Sequence, residues 1–227
     1  MPKGKQSKGR CAYCGYETTK GSMGKHLSTC SKRGELLRQA ESKKIREETL
    51  YHLRAQDAWQ SGFWLDLEIR GSATLKDLDD YLKAIWLECC GHLSNFSLRG
   101  PQSKEVPKKR RVDEVFQPEI ELTHIYDFGT SSETWIMMKS QRVGLPTSSR
   151  PIALMARNVL PETPCIECQQ PAGWLCRKCL IEEDVWGALC EQHAKNHPHT
   201  KHREPIPLVN SPRLGMCGYD GPAEPPY

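Results

Sequence analysis

Residues 63–86 read FWLDLEIRGSATLKDLDDYLKAIW, and the fold turns on the change of period inside them. Phe63, Leu65, Leu67 and Ile69 alternate with Trp64, Asp66 and Glu68, the period of two expected of a half-buried strand. After Gly71 the spacing lengthens. Leu75, Leu78, Leu82, Ile85 and Trp86 recur mostly at three and four residues, the stripe of an amphipathic helix. Thr74 stands where an N-cap belongs, and Asp77, Asp79 and Asp80 fall in the first turns, where the helix dipole favours acids.

Upstream, TLYHLRAQ (residues 49–56) reads as a strand, with Leu50 and His52 on one face and Tyr51 and Leu53 on the other. AQDAWQSG then becomes the hairpin connection into FWLDLEI. Further upstream, charges crowd around Leu36, Leu37, Ala40 and Ile45, which predicts a mostly exposed helix over residues 34–47. Downstream, GPQSKEVPKKRRVDE (100–114) is charged and holds two prolines, so it reads as a solvated loop. Residues 121–126 and 134–143 read as two strands joined by DFGTSSE. The simplest reading of Asp127 is a turn in which its carboxylate caps backbone N–H groups and Gly129 takes a positive φ. The alternative is a binding site using Asp127, Glu133 and His92.

The chain has 227 residues, of which 37% are hydrophobic, enough for a modest core. No apolar run approaches the ~20 residues of a spanning helix, so no membrane association is expected. MPKGKQSKGR has no apolar segment behind it, and the expected location is cytoplasmic. In a reducing compartment the eleven cysteines point to metal rather than disulfides. The net charge of +4 is unevenly spread, since residues 1–47 hold 12 basic and 4 acidic side chains.

Cys11, Cys14, His26 and Cys30 are spaced C-x2-C-x11-H-x3-C. Two cysteines on a knuckle and a His and Cys four apart on a helix can complete a tetrahedron around zinc. The pattern resembles a CCHC-type zinc finger, with Gly15 supplying the knuckle's positive φ and Tyr16, Met23 and Leu27 its small core. Lys3, Lys5, Lys8, Arg10, Lys20, Lys25, Lys32 and Arg33 surround it, a charge pattern suited to a phosphate backbone. DNA or RNA is therefore the expected partner of residues 1–33.

A second cluster comprises Cys165, Cys168, Cys176, Cys179, Cys190, His193, His197 and His202, with His199 competing with His197. It resembles a B-box-type cross-brace. That resemblance implies one zinc on Cys165, Cys168, Cys190 and His193, and another on Cys176, Cys179, His197 (or His199) and His202. Structural zinc is favoured, because no carboxylate is placed as a general base as in H-E-x-x-H. Such modules usually bind proteins, so a protein partner is expected for residues 161–227. Cys89 and Cys90 read as buried structural thiols. Cys217 stays unassigned, either a spare thiol or a substitute for one histidine. Three zinc ions are expected in all.

TLKDLDDYL, GHLSNF and IYDFGTSSE resemble the Ri-plasmid ORF-3-like family, which includes passenger proteins of bacterial insertion elements. The matching positions are Thr74, Leu75, Leu78, His92, Leu93, Phe96, Tyr126, Asp127, Phe128 and Gly129, within roughly residues 48–145. The Thr-Ser-Ser after Gly129 departs from the Asp and Trp of many members. The resemblance implies an α+β domain tied to plasmids and mobile elements, with no established activity.

The expected fold is α+β. A small central mixed domain with antiparallel strands (48–160) is flanked by a basic tail and finger (1–33), a linking helix (34–47) and a two-zinc module with a Pro-rich tail (161–227). The expected function is that of a bacterial, non-enzymatic zinc protein contacting nucleic acid through its first finger. The alternative is a protein-interaction adaptor whose zinc modules never touch nucleic acid.

Overall fold

The computed structural model describes residues 7–42, 46–99, 103–201 and 204–225. The fold is α+β, built on a large antiparallel sheet with Cys/His clusters towards both ends of the chain. A short hairpin of β1 (Lys8–Cys11) and β2 (Glu17–Thr19) leads into helices α1 (Lys20–Thr29) and α2 (Ser31–Glu41). Strands β3 (Glu48–Asp57) and β4 (Trp64–Arg70) follow, then α3 (Leu75–Leu82), continued by a π-helical turn over Lys83–Leu87. Next come β5 (Ser94–Leu98), β6 (Glu105–Val106), α4 (Val112–Val115), β7 (Glu121–Tyr126), β8 (Ser132–Gly144) and β9 (Ile152–Asn158). The nine strands form one sheet in the order β2-β1-β9-β4-β3-β8-β7-β5-β6, every pairing antiparallel.

The opening stretch behaves as its periods predict. Phe63, Leu65, Leu67 and Ile69 join the main core beneath α3, alongside Leu75, Leu78, Leu82, Ile85 and Trp86. Thr74 accepts from the backbone N–H of Asp77 while Asp77 accepts from that of Thr74, a reciprocal capping box.

The other face of β4 corrects the half-buried expectation: Trp64, Asp66 and Glu68 are buried too. Trp64 packs under the finger with Met23 and Leu27. Asp66 accepts from Arg54 at 2.9 and 2.7 Å, and Glu68 accepts from Arg33 of α2 at 3.1 Å and from Arg142 at 2.9 Å. The strand looks amphipathic in sequence because its second face is closed by charge pairs and by a segment distant in the chain.

Two further expectations change. Residues 103–114 are not simply a solvated loop, because β6 joins the sheet and Lys108 donates to buried Asp79 at 2.7 Å and to Ser94 at 2.6 Å. Asp79, in turn, serves the interior rather than the helix dipole: it is 1% exposed and also pairs with His124 at 2.7 Å and Lys83 at 3.3 Å.

The C-terminal part holds a small sheet of β10 (Trp174–Leu175), β11 (Ala188–Leu189) and β12 (Ile206–Pro207), with helices α5 (Arg177–Glu182) and α6 (Glu191–Asn196). Among the described residues no helix is long and apolar enough to cross a membrane.

Candidate metal centres

The first group rises from the β1–β2 hairpin. Cys11 ends β1, Cys14 sits on the knuckle, and α1 carries His26 with Cys30 just beyond its end. Gly15 has a φ of +73°, and Gly15 N–H donates to Cys11 O at 2.9 Å, closing the knuckle. Thr19 caps α1 through the N–H of Ser22. The finger is continuous with the sheet, since Gly9, Arg10 and Cys11 pair with Asn158, Arg157 and Ala156 of β9.

A tetrahedral ion with metal–sulfur bonds of ~2.3 Å and metal–nitrogen bonds of ~2.0 Å separates two sulfurs by about 3.8 Å and a sulfur from a nitrogen by about 3.5 Å. Cys11 Sγ and Cys30 Sγ lie 4.0 Å apart, and Cys14 Sγ is 3.3 Å from His26 Nε2. The four donors therefore already stand near the corners of such a tetrahedron, and thiolates with an imidazole suit a metal such as zinc. Tyr16, expected in the finger's core, is instead 55% exposed and lies against the His26 ring with centroids 4.7 Å apart.

The second cluster divides into two interleaved groups. Cys165, Cys168, Cys190 and His193 form one, with Cys168–Cys190 at 3.8 Å and His193 Nδ1 at 3.5 and 3.4 Å from Cys165 and Cys190. Cys176, Cys179, His197 and His199 form the other, with Cys179 at 3.2 Å from His197 Nε2 and 3.4 Å from His199 Nδ1. His197 and His199 thus both belong to the group rather than competing for one place. His202, expected as its last ligand, lies outside the described residues.

Carboxylates hold the far sides of these rings, Glu167 on His197 Nδ1 at 2.9 Å and Glu183 on His199 Nε2 at 3.1 Å. Such partners orient a ligating ring and raise its basicity. Burial alone would raise the Cys165 thiol, but backbone N–H groups led by Cys190 outweigh it and bring it down to about 6. Burial and the neighbouring Cys176 push Cys179 up to about 12. Crowded thiols of this kind need a cation before all can ionise.

A fourth group was not anticipated: Cys89, Cys90, His92 and Cys217 have ligand atoms within 4.8 Å of one another. Cys90 is exposed and Cys89 half-buried, which overturns their reading as buried thiols. Cys217 replaces no histidine in the second cluster. The sequence signal was present in the tight run Cys89-Cys90-x-His92 together with one unplaced cysteine, but that run has no knuckle spacing.

Asp127 forms the expected turn, accepting from the N–H of Gly129 at 2.9 Å and Thr130 at 3.2 Å. The positive φ of +64° falls on Asp127 itself rather than on Gly129. Its other oxygen accepts from Arg213 at 2.7 Å, and that hydrogen bond, ahead of burial, which acts the other way, brings the carboxyl down to about 2.

The basic residues around the finger separate on inspection. Lys8, Arg10, Lys25 and Lys32 are exposed. Lys20 is half-buried, donates to Gln56 and to Ser61 O, and is pushed down to about 8 by burial and then by Arg54. Arg33 is spent on Glu68 and Leu27 O. Lys3 and Lys5 lie outside the described residues.

No family model matches the chain, and no curated protein is similar to it. Among solved structures it is similar to a protein of unknown function from Methanosarcina mazei Go1, at 19% identity and a TM-score of 0.40. The alignment covers 46% of this chain and 66% of that one, just under two thirds of its length.

Proposed function

We propose that the protein is a non-enzymatic, multi-zinc binding protein that contacts nucleic acid through its N-terminal finger. The observation supporting this is the exposed surface of the finger. Lys8 and Arg10 share the outward side of β1, Lys25 precedes the ligand His26, and the exposed Tyr16 ring rests against that histidine. Cations beside an exposed aromatic are the elements that bind a phosphate backbone and stack a base. Arg10 and Lys32 are paired with Glu17 at 2.7 Å and Glu35 at 3.0 Å. Exposed pairs of this type are worth little and give way to a phosphate. The family resemblance of residues 48–145 supports a setting alongside plasmids or mobile elements.

The test is a titration of single-stranded and duplex oligonucleotides at 50 and 200 mM salt. Four phosphate contacts give an affinity loss of about a hundredfold over that interval. Lys8→Glu with Lys25→Glu should abolish most of the binding. No binding at the lower salt, or binding indifferent to these substitutions, refutes the reading.

A second reading has its own support. In the C-terminal module Ile181 (61% exposed), Val185 and Trp186 are large exposed apolar side chains on α5 and the turn after it. Such a cluster suits a protein partner. An adaptor of this kind would lose its partner, and keep its fold, on Ile181→Asp.

A further inference from the structure

We propose that Cys89, Cys90, His92 and Cys217 bind a fourth metal ion of the zinc class, and that this ion clasps the C-terminal segment onto the central domain. His92 Nε2 lies 3.0 Å from Cys90 Sγ and 3.3 Å from Cys217 Sγ, and Cys90 Sγ lies 3.6 Å from Cys89 Sγ and 3.7 Å from Cys217 Sγ. The sulfur–sulfur distances match donors around one tetrahedral ion, and the two to His92 fall slightly inside that geometry. The sulfur–sulfur distances are far from the ~2.05 Å of a disulfide, and all eleven cysteines are free.

The donors come from the two sides of a long separation. Cys89, Cys90 and His92 lie in the short connection between the π-turn and β5, and Cys217 arrives 127 residues after Cys90. Cys217 is delivered on a turn at φ +49°, a conformation that a non-glycine residue adopts only where its surroundings impose it.

Those surroundings are specific. Ser211 donates to Trp86 O at 2.6 Å, beside the first cysteines. Arg213, 0% exposed, donates to Asp127 at 2.7 Å, to Thr130 O at 3.0 Å, to Ser132 Oγ at 2.9 Å and to Cys89 Sγ at 3.5 Å. Three thiolates, one imidazole and a dication leave one net negative charge. Asp127, whose Oδ2 lies 3.4 Å from His92 Nε2, adds a second, and the buried Arg213 guanidinium lies against both Asp127 and Cys89. With this site included, the four groups account for every cysteine in the chain. The proposal is independent of nucleic-acid binding.

Full-length protein purified under reducing conditions without chelator should carry four zinc ions per chain by elemental analysis. Cys217→Ser and His92→Gln should each carry three, with circular dichroism matching the wild type. Cobalt exchanged into the wild type should show more thiolate-to-metal absorption than in Cys217→Ser. Trypsin must expose buried Arg213 to cut after it, so Cys217→Ser should be cut there about tenfold faster or more. Should Cys217→Ser misfold, His92→Gln keeps all eleven thiols and gives the same reading. Three ions in the wild type, four in both variants, or a disulfide to Cys217 overturns the proposal.

Discussion

Replacing Gly9 by alanine tests whether the finger is fused to the sheet. A Cβ at Gly9 would stand 2.2 Å from Cζ2 and 2.3 Å from Cη2 of Trp64, and 2.7 Å from the carbonyl oxygen of Arg157. Ordinary contacts begin at 3.4 Å, so the ring would have to retreat by more than an ångström. It has nowhere to go. Trp64 is 0% exposed, packed with Met23, Leu27, Met155 and Ala156, and its Nε1 donates to Ser7 Oγ at 3.0 Å. The Arg157 carbonyl is held in the β1–β9 ladder. Overpacking costs about 1–3 kcal/mol, and two immobile neighbours favour the upper end. Alanine recovers about 0.5–1 kcal/mol over glycine in a strand, which leaves a net loss of about 2 kcal/mol. For a chain of this length that lowers Tm by about 4–8 °C. The assay is thermal unfolding by tryptophan fluorescence, with zinc release read in parallel by a chromophoric chelator. Gly21→Ala, in α1 where a Cβ meets nothing within 4 Å, should instead gain about 0.5–1 kcal/mol. Gly9→Ala melting within a degree of wild type, or rising with Gly21→Ala, would refute the docking.

Three further outcomes are expected. Excess chelator should unfold the C-terminal module, whose core is Cys165, Cys176, Cys179, Leu189 and Ala194, while the near-ultraviolet signal of Trp86 in the main core persists. Burial lowers His124 against the pull of Asp79, so the unfolded chain takes up a proton near pH 6.5 that the folded chain refuses. Stability therefore falls as pH drops below about 6.5, by up to about 1.4 kcal/mol per pH unit, and His124→Gln should flatten that slope in urea titrations at pH 7.5 and 5.5. Asp66→Ala leaves Arg54, whose side chain is 8% exposed, without its carboxylate. That should cost about 3 kcal/mol, and an unchanged urea midpoint would contradict the pairing.

What could be read in the sequence was local. The period change at Gly71, the capping residue Thr74 and the β7 strand rest on near neighbours and appear where their spacing places them. The two knuckled cysteine clusters are announced by their C-x2-C pairs, although their ligands meet across as many as 28 residues. What escaped depends on distant partners. The outer face of β4 is closed by Trp64's contacts with α1 and by Arg33, and nothing within FWLDLEI reveals that. β1 and β9 find each other across more than 140 residues. Lys108 reads as solvated within its own charged run because its partner, Asp79, lies 29 residues away in the chain. The fourth Cys/His group shares this character, its two parts being separated by most of the chain.

The margins of the sheet carry a consequence for how it meets other molecules. Its interior pairing of β3 with β8 runs along ten residues, but the outermost strands, β2 and β6, are only three and two residues long. Short borders offer another chain little backbone to pair with, which protects against strand-to-strand aggregation. They also disfavour recognition by strand addition, in which a peptide extends the sheet. A partner of either kind proposed above would then be read by side chains, through the exposed cations and tyrosine of the finger or the apolar side chains around Trp186.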